Sequence, residues 1–176
     1  GAAECICFGT LIQKREVSRA TLHRLLDDFA GRFALLDINL RPDCYTTESI
    51  RESIRRADIL KLNDGEAEFL GRIYEVPEGD PGPDPGVFAD TLFSRSELQY
   101  LVLTFGERGA FAASRDGRKV YHPAFSVELR DPVGAGDAFT AGFLDALLAE
   151  KSLAEACRFA SATGALVAAQ EGATQP

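Results

Sequence analysis

The chain has 176 residues, 45% of them hydrophobic and 26% charged, with a formal net charge of -8 at pH 7. That length suits one α/β domain with a substantial core and is tight for two. The acidic balance argues against a nucleic-acid backbone or an anionic membrane surface as partner, but not against a phosphate ligand, which local backbone N–H groups can hold inside an acidic protein.

From the N-terminus, short β-rich runs alternate with helical patterns. Cys5–Phe8 reads as a strand ended by Gly9. Ser18 is a suitable N-cap for a helix carrying Leu22, Leu25, Leu26 and Phe29 at helical spacing, with Gly31 to stop it. Phe33–Ile38 is an apolar run broken only by Asp37, as suits a buried parallel strand. A helix is predicted over Thr47–Arg56, a strand over Ile59–Leu62 and a helix over Asp64–Leu70. Residues 77–86, rich in Pro and Gly, suit neither a helix nor a central strand and are predicted to form a surface loop. Gln99–Phe105 is the clearest strand, and Ala110–Ala113 with Lys119–Tyr121 around Asp116-Gly117 should form a hairpin. Two helices close the chain, over Ala138–Ala149 and over the Ala-, Ser- and Gly-rich Leu153–Ala169.

Strand–helix alternation implies crossover connections. The predicted fold is therefore α/β: three αβα layers, a mainly parallel sheet with helices on both faces, and one domain over residues 1–176. Cys5, Cys7, Cys44 and Cys157 have no C-x-x-C spacing and are expected to be reduced, packed thiols. No apolar run approaches the length of a membrane span, and the expected setting is the cytoplasm. A chain without Met that opens on a core strand is expected to be part of something longer.

In an open parallel sheet, ligands bind beyond the carboxyl ends of the strands. The segment Asp131-Pro132-Val133-Gly134-Ala135-Gly136-Asp137 stands before an amphipathic helix. Gly134, Ala135 and Gly136 could turn N–H groups toward one point, where the helix dipole favours an anion such as a transferring phosphoryl group. Asp137 beside that point could accept a proton. The same residues also suit a plain Gly-rich turn with an acidic helix start. Asp37, Asn39 and Arg41 alternate at a strand end, so they should share one face and suit a hydroxylated or anionic small molecule, or a solvated Arg–Asp pair. Asn63 and Glu66 could form a capping box, or Glu66 could hold Mg²⁺ through water. Thr104, Gly106 and Gly109 form a Gly-rich turn after the clearest strand, which alone is weak evidence for a nucleotide. The G-x-G-x-x-G fingerprint of a dinucleotide-binding oxidoreductase is missing from Gly9-Thr10-Leu11.

Taken in this order, the four segments resemble the PfkB (ribokinase-like) family of carbohydrate kinases along nearly the whole chain. Asp131 to Phe139 is similar to that family's C-terminal signature. Asn63-x-x-Glu66 resembles its Asn-x-x-Glu motif, Thr104-x-Gly106-x-x-Gly109 its nucleotide turn, and Asp37-x-Asn39-x-Arg41, with Phe8-Gly9-Thr10-Leu11, its fructokinase-like branch. The resemblance implies ATP-dependent phosphorylation of a sugar's primary hydroxyl, with a ketodeoxygluconate-type or ribose-type acceptor as alternatives. It makes Asp137 the base and Gly134, Ala135 and Gly136 the anion hole. It also places Thr104, Gly106 and Gly109 at ATP, and Ala162, Gly164 and Ala165 at the adenine. Asn63 and Glu66 would serve Mg²⁺ and phosphate, Asp131 and Val133 a monovalent cation such as K⁺, and Asp37, Asn39 and Arg41 the sugar. The family's N-terminal half, with its sugar grip and a lid that often mediates dimers, has no counterpart here, so a catalytically incomplete nucleotide-binding unit is a second expectation. Cys44-Tyr45 stands where many relatives have Leu-Trp. Asp37, Asn63, Thr104 and Asp137 are expected at one edge of the sheet, with Cys5–Phe8 as an exposed apolar edge.

Overall fold

The computed structural model describes residues 3–79 and 82–172. The chain falls into two compact units, Gly1–Leu103 and Thr104–Pro176. In the first, β1 (Cys5–Phe8), α1 (Glu16–Asp27), β2 (Phe33–Asp37), α2 (Thr47–Arg55), β3 (Ile59–Asn63), α3 (Asp64–Ile73) and α4 (Pro85–Ser94) lead into β4 (Tyr100–Thr104), whose last residue opens the second unit. The second continues with β5 (Ala110–Ser114), β6 (Lys119–His122), α5 (Ala135–Leu148) and α6 (Leu153–Ala168).

The strands β1, β2 and β3 pair in parallel, with Phe8 opposite Leu36 and Asp37 opposite Lys61. β5 and β6 form the expected antiparallel hairpin, with Ala110 opposite His122. Helical crossovers between parallel strands make this the α/β class anticipated from the alternation. The first unit's core is mainly aliphatic: Leu35, Leu36, Ile50, Ile54, Ile59 and Leu60 are fully buried, together with the aromatic Phe88. Three of its helices carry side-chain caps. Thr46 accepts from Ser49 N, Asn63 Oδ1 from Glu66 N, and Asp84 Oδ1 from Val87 N. No described helix is long and apolar enough to cross a membrane.

Several expectations are corrected. Helix α1 starts at Glu16, before Ser18, and buries only Leu22, while Leu25 is exposed. The loop expected over 77–86 ends at Asp84, because Pro85 is the first residue of α4. A proline is harmless there, since the N–H it lacks would have no intrahelical acceptor. Asp80 and Pro81 of that loop lie outside the described residues. None of the four cysteines is in a disulfide among the described residues, but only Cys44 and Cys157 are buried, and Cys7 is exposed on β1, the terminal strand of the sheet order. Burial pushes the Cys157 thiol up to about 11, which keeps it protonated and unreactive near neutrality.

The shared face predicted for Asp37, Asn39 and Arg41 is not formed by strand alternation. β2 ends at Asp37, and Asn39 takes a positive φ of 39°, so the period of two stops there. Nor is Arg41 the cation that pairs with Asp37. Lys61 Nζ lies 2.8 Å from Asp37 Oδ2, with both side chains largely buried. Lys61→Ala should therefore destabilise the fold by about 2 kcal/mol, less than a wholly buried broken pair because both groups keep some water. Urea unfolding of this chain checks the value.

Candidate functional site

The second unit contains a cleft of about 670 Å³, within the usual size range of small-molecule sites. Three pieces of backbone build it. After Thr104, a tight turn brings Phe105 N to Gly109 O at 2.8 Å around a short 3₁₀ helix, Gly106–Arg108. Gly106 and Gly109 have φ of 58° and 111°. A Cβ on Gly109 would lie 2.1 Å from His122 O, so the turn packs backbone against backbone and only glycine fits. The Tyr121 hydroxyl donates to Arg108 O and ties the turn to the hairpin.

The second piece is the start of α5. Gly134 takes φ 83° and offers no side-chain cap, unlike Ser152 at the start of α6. Ala135 N is used within the turn, donating to Pro132 O at 3.2 Å, and Ala138 N donates to Gly134 O at 2.9 Å. The first-turn N–H groups of Gly136 and Asp137 are left without a partner among the described residues. They are the donors an anion could use at this helix end. Asp131 fixes the approach: its Oδ1 accepts from Val133 N at 2.9 Å and its Oδ2 from Gly172 N at 3.2 Å.

The third piece is α6, whose Ser161, Gly164, Ala165 and Ala168 line the cleft at helical spacing. Small residues let α5 approach as well as leaving space. A Cβ on Gly164 would sit 3.1 Å from Ala135 O. Thr104, Gly106, Gly109, Ala135, Gly136 and Ala165 line the cleft as anticipated. Ala162 does not, because one residue's step around α6 turns it about 100° away from Ser161. Gly134 and Asp137 flank the lining residues, and Asp137 is exposed at the third position of α5.

Sequence reasoning missed one wall. Phe125, Val127 and Leu129 alternate along an extended segment after β6, each partly exposed and each facing the cleft. Their spacing of two apolar residues without strand partners was the available signal, since exposed apolar groups in a row mark a binding surface.

In the first unit, Asp37 and Asn63 close adjacent parallel strands at their carboxyl ends. The capping box at α3 is formed. Glu66 Oε2 accepts from Asn63 N at 2.8 Å and its Oε1 from Leu40 N at 2.9 Å, so one carboxylate clamps both the helix start and the loop after β2. Asn39 and Arg41 are exposed on that loop. No group of three His, Cys, Asp or Glu residues able to hold a metal ion occurs among the described residues.

The profile of the pfkB family carbohydrate kinase matches residues 6–176. The chain belongs to the pfkB family of carbohydrate kinases. It is 34% identical to a ribokinase of Haemophilus influenzae over 122 residues, which covers 69% of this chain and 38% of the ribokinase. It is 32% identical to fructokinase-1 of Oryza sativa subsp. japonica over 158 residues, covering 82% of this chain and 45% of that enzyme. A solved structure of a sugar kinase from Pyrococcus horikoshii in complex with ATP superimposes with a TM-score of 0.77 at 26% identity, covering 97% of this chain and 53% of the other. The pfkB chain described here thus spans about half the length, or less, of the relatives it matches.

Proposed function

We propose that the cleft of the second unit binds ATP, and that the full-length protein transfers its terminal phosphoryl group to a primary hydroxyl of a sugar, in the manner of a fructokinase. The observation that carries the reading is the uncapped start of α5. It leaves the Gly136 and Asp137 N–H groups free beside a cleft walled by Phe125, Val127, Ala165 and Ala168. Apolar walls suit a nucleobase and unpaired N–H groups suit phosphate oxygens.

In this mechanism the Asp137 carboxylate takes the proton of the acceptor hydroxyl, and the two N–H groups hold the phosphoryl oxygens as charge builds on them. Asp37, Asn39 and Arg41 are assigned to the acceptor's hydroxyls. Asp37 acts from its ion pair with Lys61, whereas Asn39 and Arg41 are open to solvent. Glu66 keeps a second lone pair on each oxygen and fits a hydrated Mg²⁺, which would neutralise phosphate charge when bound. Asp131 and the Val133 carbonyl are assigned to K⁺. A ribose-type or ketodeoxygluconate-type acceptor is the alternative to fructose, and dimerisation belongs to the full-length protein. Coverage of half or less of its relatives favours a second reading for this chain by itself, that of a nucleotide-binding unit without turnover.

Calorimetric titration of ATP with Mg²⁺ into the chain tests the site. Binding is expected at one site per chain, and Ala165→Leu, which extends a side chain into the cleft, should weaken it by about tenfold or more. Absence of binding, or binding indifferent to Ala165→Leu, would remove the cleft as the ATP site. A panel of fructose, ribose and ketodeoxygluconate with the full-length protein decides the acceptor.

A further inference from the structure

A second cavity, of about 260 Å³, lies wholly within the first unit. Arg51, Ile54 and Arg55 reach it from α2, Ile73 and Tyr74 from the end of α3, and Arg95 from the end of α4. These are carboxyl ends of helices, whereas Asp37 and Asn63 stand at the carboxyl ends of strands that the same helices precede or follow. The cavity is therefore separate, within this unit, from the strand ends assigned to the sugar.

Its charges are unbalanced. The charged groups that act on the Tyr74 hydroxyl are Arg51, Arg55, Arg95 and Glu48, three cations against one carboxylate. Glu48 is already engaged, 3.1 Å from Arg55 Nη2. Arg95 spends one nitrogen on the Tyr74 carbonyl. Arg51 makes no ion pair or hydrogen bond among the described residues. A local excess of two positive charges in a chain of net charge -8 matches a dianion.

Helix ends do attract cations, and this accounts for Arg55 and Arg95. It does not account for Arg51, which stands one turn back on α2 and repels Arg55 as a like-charge neighbour four residues away. Nor does it account for Tyr74. That residue is only 8% exposed, lines the cavity, and its hydroxyl has no hydrogen-bond partner among the described residues. The other side chains of the lining are three guanidinium groups, which only donate, and two isoleucines, so none of them accepts from the hydroxyl. Burial raises the Tyr74 pKa despite the three arginines, so the phenol remains a donor at neutral pH.

We propose that this cavity is an anion site for phosphate or the phosphate group of a small phosphomonoester, held by the guanidinium groups of Arg51, Arg55 and Arg95 and by the Tyr74 hydroxyl. Guanidinium forks match tetrahedral phosphate oxygens. The volume lies just below the roughly 300–1,000 Å³ of ordinary ligand sites, which excludes a nucleotide and suits a compact anion. The site is independent of the ATP cleft and stands or falls apart from the kinase reading.

The test is calorimetric titration of inorganic phosphate, and separately of glycerol 3-phosphate, into this chain at constant ionic strength. Saturable binding tighter than about 1 mM is expected. Arg51→Gln removes a side chain with no internal partner, so the fold should survive, and affinity should fall about tenfold or more. Tyr74→Phe keeps the ring and should weaken binding about threefold to tenfold. Ala165→Leu in the cleft should leave the phosphate isotherm unchanged, and Arg51→Gln should leave ATP binding unchanged. Tighter binding of glycerol 3-phosphate would assign the site to a phosphomonoester, and equal or weaker binding to free phosphate. No binding below about 1 mM, an isotherm indifferent to Arg51→Gln, or one abolished by Ala165→Leu would each overturn the proposal.

Discussion

Asp137→Asn in the full-length protein is expected to lower kcat by about 10²–10⁴-fold while leaving ATP affinity and melting temperature close to those of the parent. A sugar hydroxyl is a poor nucleophile near neutrality, so loss of a positioned base falls on the chemical step. The structure explains why stability should be spared. Asp137 is exposed at the third position of α5, and no hydrogen bond or ion pair ties its side chain to the described residues. Its backbone N–H is unchanged by the substitution, so the donors offered to phosphate persist. ATP could bind somewhat more tightly, since a negative charge beside the phosphates is removed. If Asp137 were only an acidic helix start, the pattern would invert: turnover near normal, with a stability loss of a few tenths of a kcal/mol from the helix dipole. Steady-state kinetics, ATP calorimetry and thermal unfolding on one preparation separate the two. A near-normal kcat would take the central residue out of the proposed mechanism.

The parts of the fold that were legible in the sequence are those where one local signal dominates. Phe33 to Leu36 is apolar throughout because a parallel strand is covered on both faces, and β2 was found within one residue of its end. The α3 start was legible because Asn63 and Glu66 sit three apart, and both halves of their capping box form. Helix α4 was hidden by its own start. Pro83, Asp84 and Pro85 read as a loop, although Asp84 is a cap and Pro85 an acceptable first residue. At the site, the glycines of the two turns were legible because special backbone geometry needs them. The Phe125, Val127 and Leu129 wall was missed although its alternation stands in the sequence, because the segment pairs with no strand and so falls outside the strand–helix alternation. The arginine cavity could not be seen at all. Arg51 and Arg95 lie 44 positions apart and meet only through the packing of α2 and α4 on the same unit's core.

Gly109→Ala is expected to be the most destabilising single substitution in the cleft, at about 3 kcal/mol or more, whereas Gly106→Ala should cost only about 1 kcal/mol. The two glycines belong to one turn and both have positive φ, yet they face different obstacles. Gly106, at φ 58°, sits in the left-handed helical region, and a Cβ there meets nothing within 4 Å. Its substitution carries the left-handed penalty of an L-residue alone. Gly109 combines φ 111° with ψ -148°, a region almost closed to side chains. A Cβ would also press on His122 O at 2.1 Å, Ala124 N at 2.8 Å and the Pro123 Cα at 2.8 Å. Those are backbone atoms with no rotamer to change, so relief requires moving the strand end or the turn. The segment displaced is the one that continues into the Phe125–Leu129 wall, so nucleotide affinity should fall together with stability. In Gly106→Ala the wall is untouched, and any loss of affinity would report only on how closely a phosphate approaches that turn. Urea unfolding and ATP calorimetry on both variants read the contrast. Equal destabilisation by the two would mean that the Gly109 backbone can relax away from His122, and that its tight packing does not hold the cleft in shape.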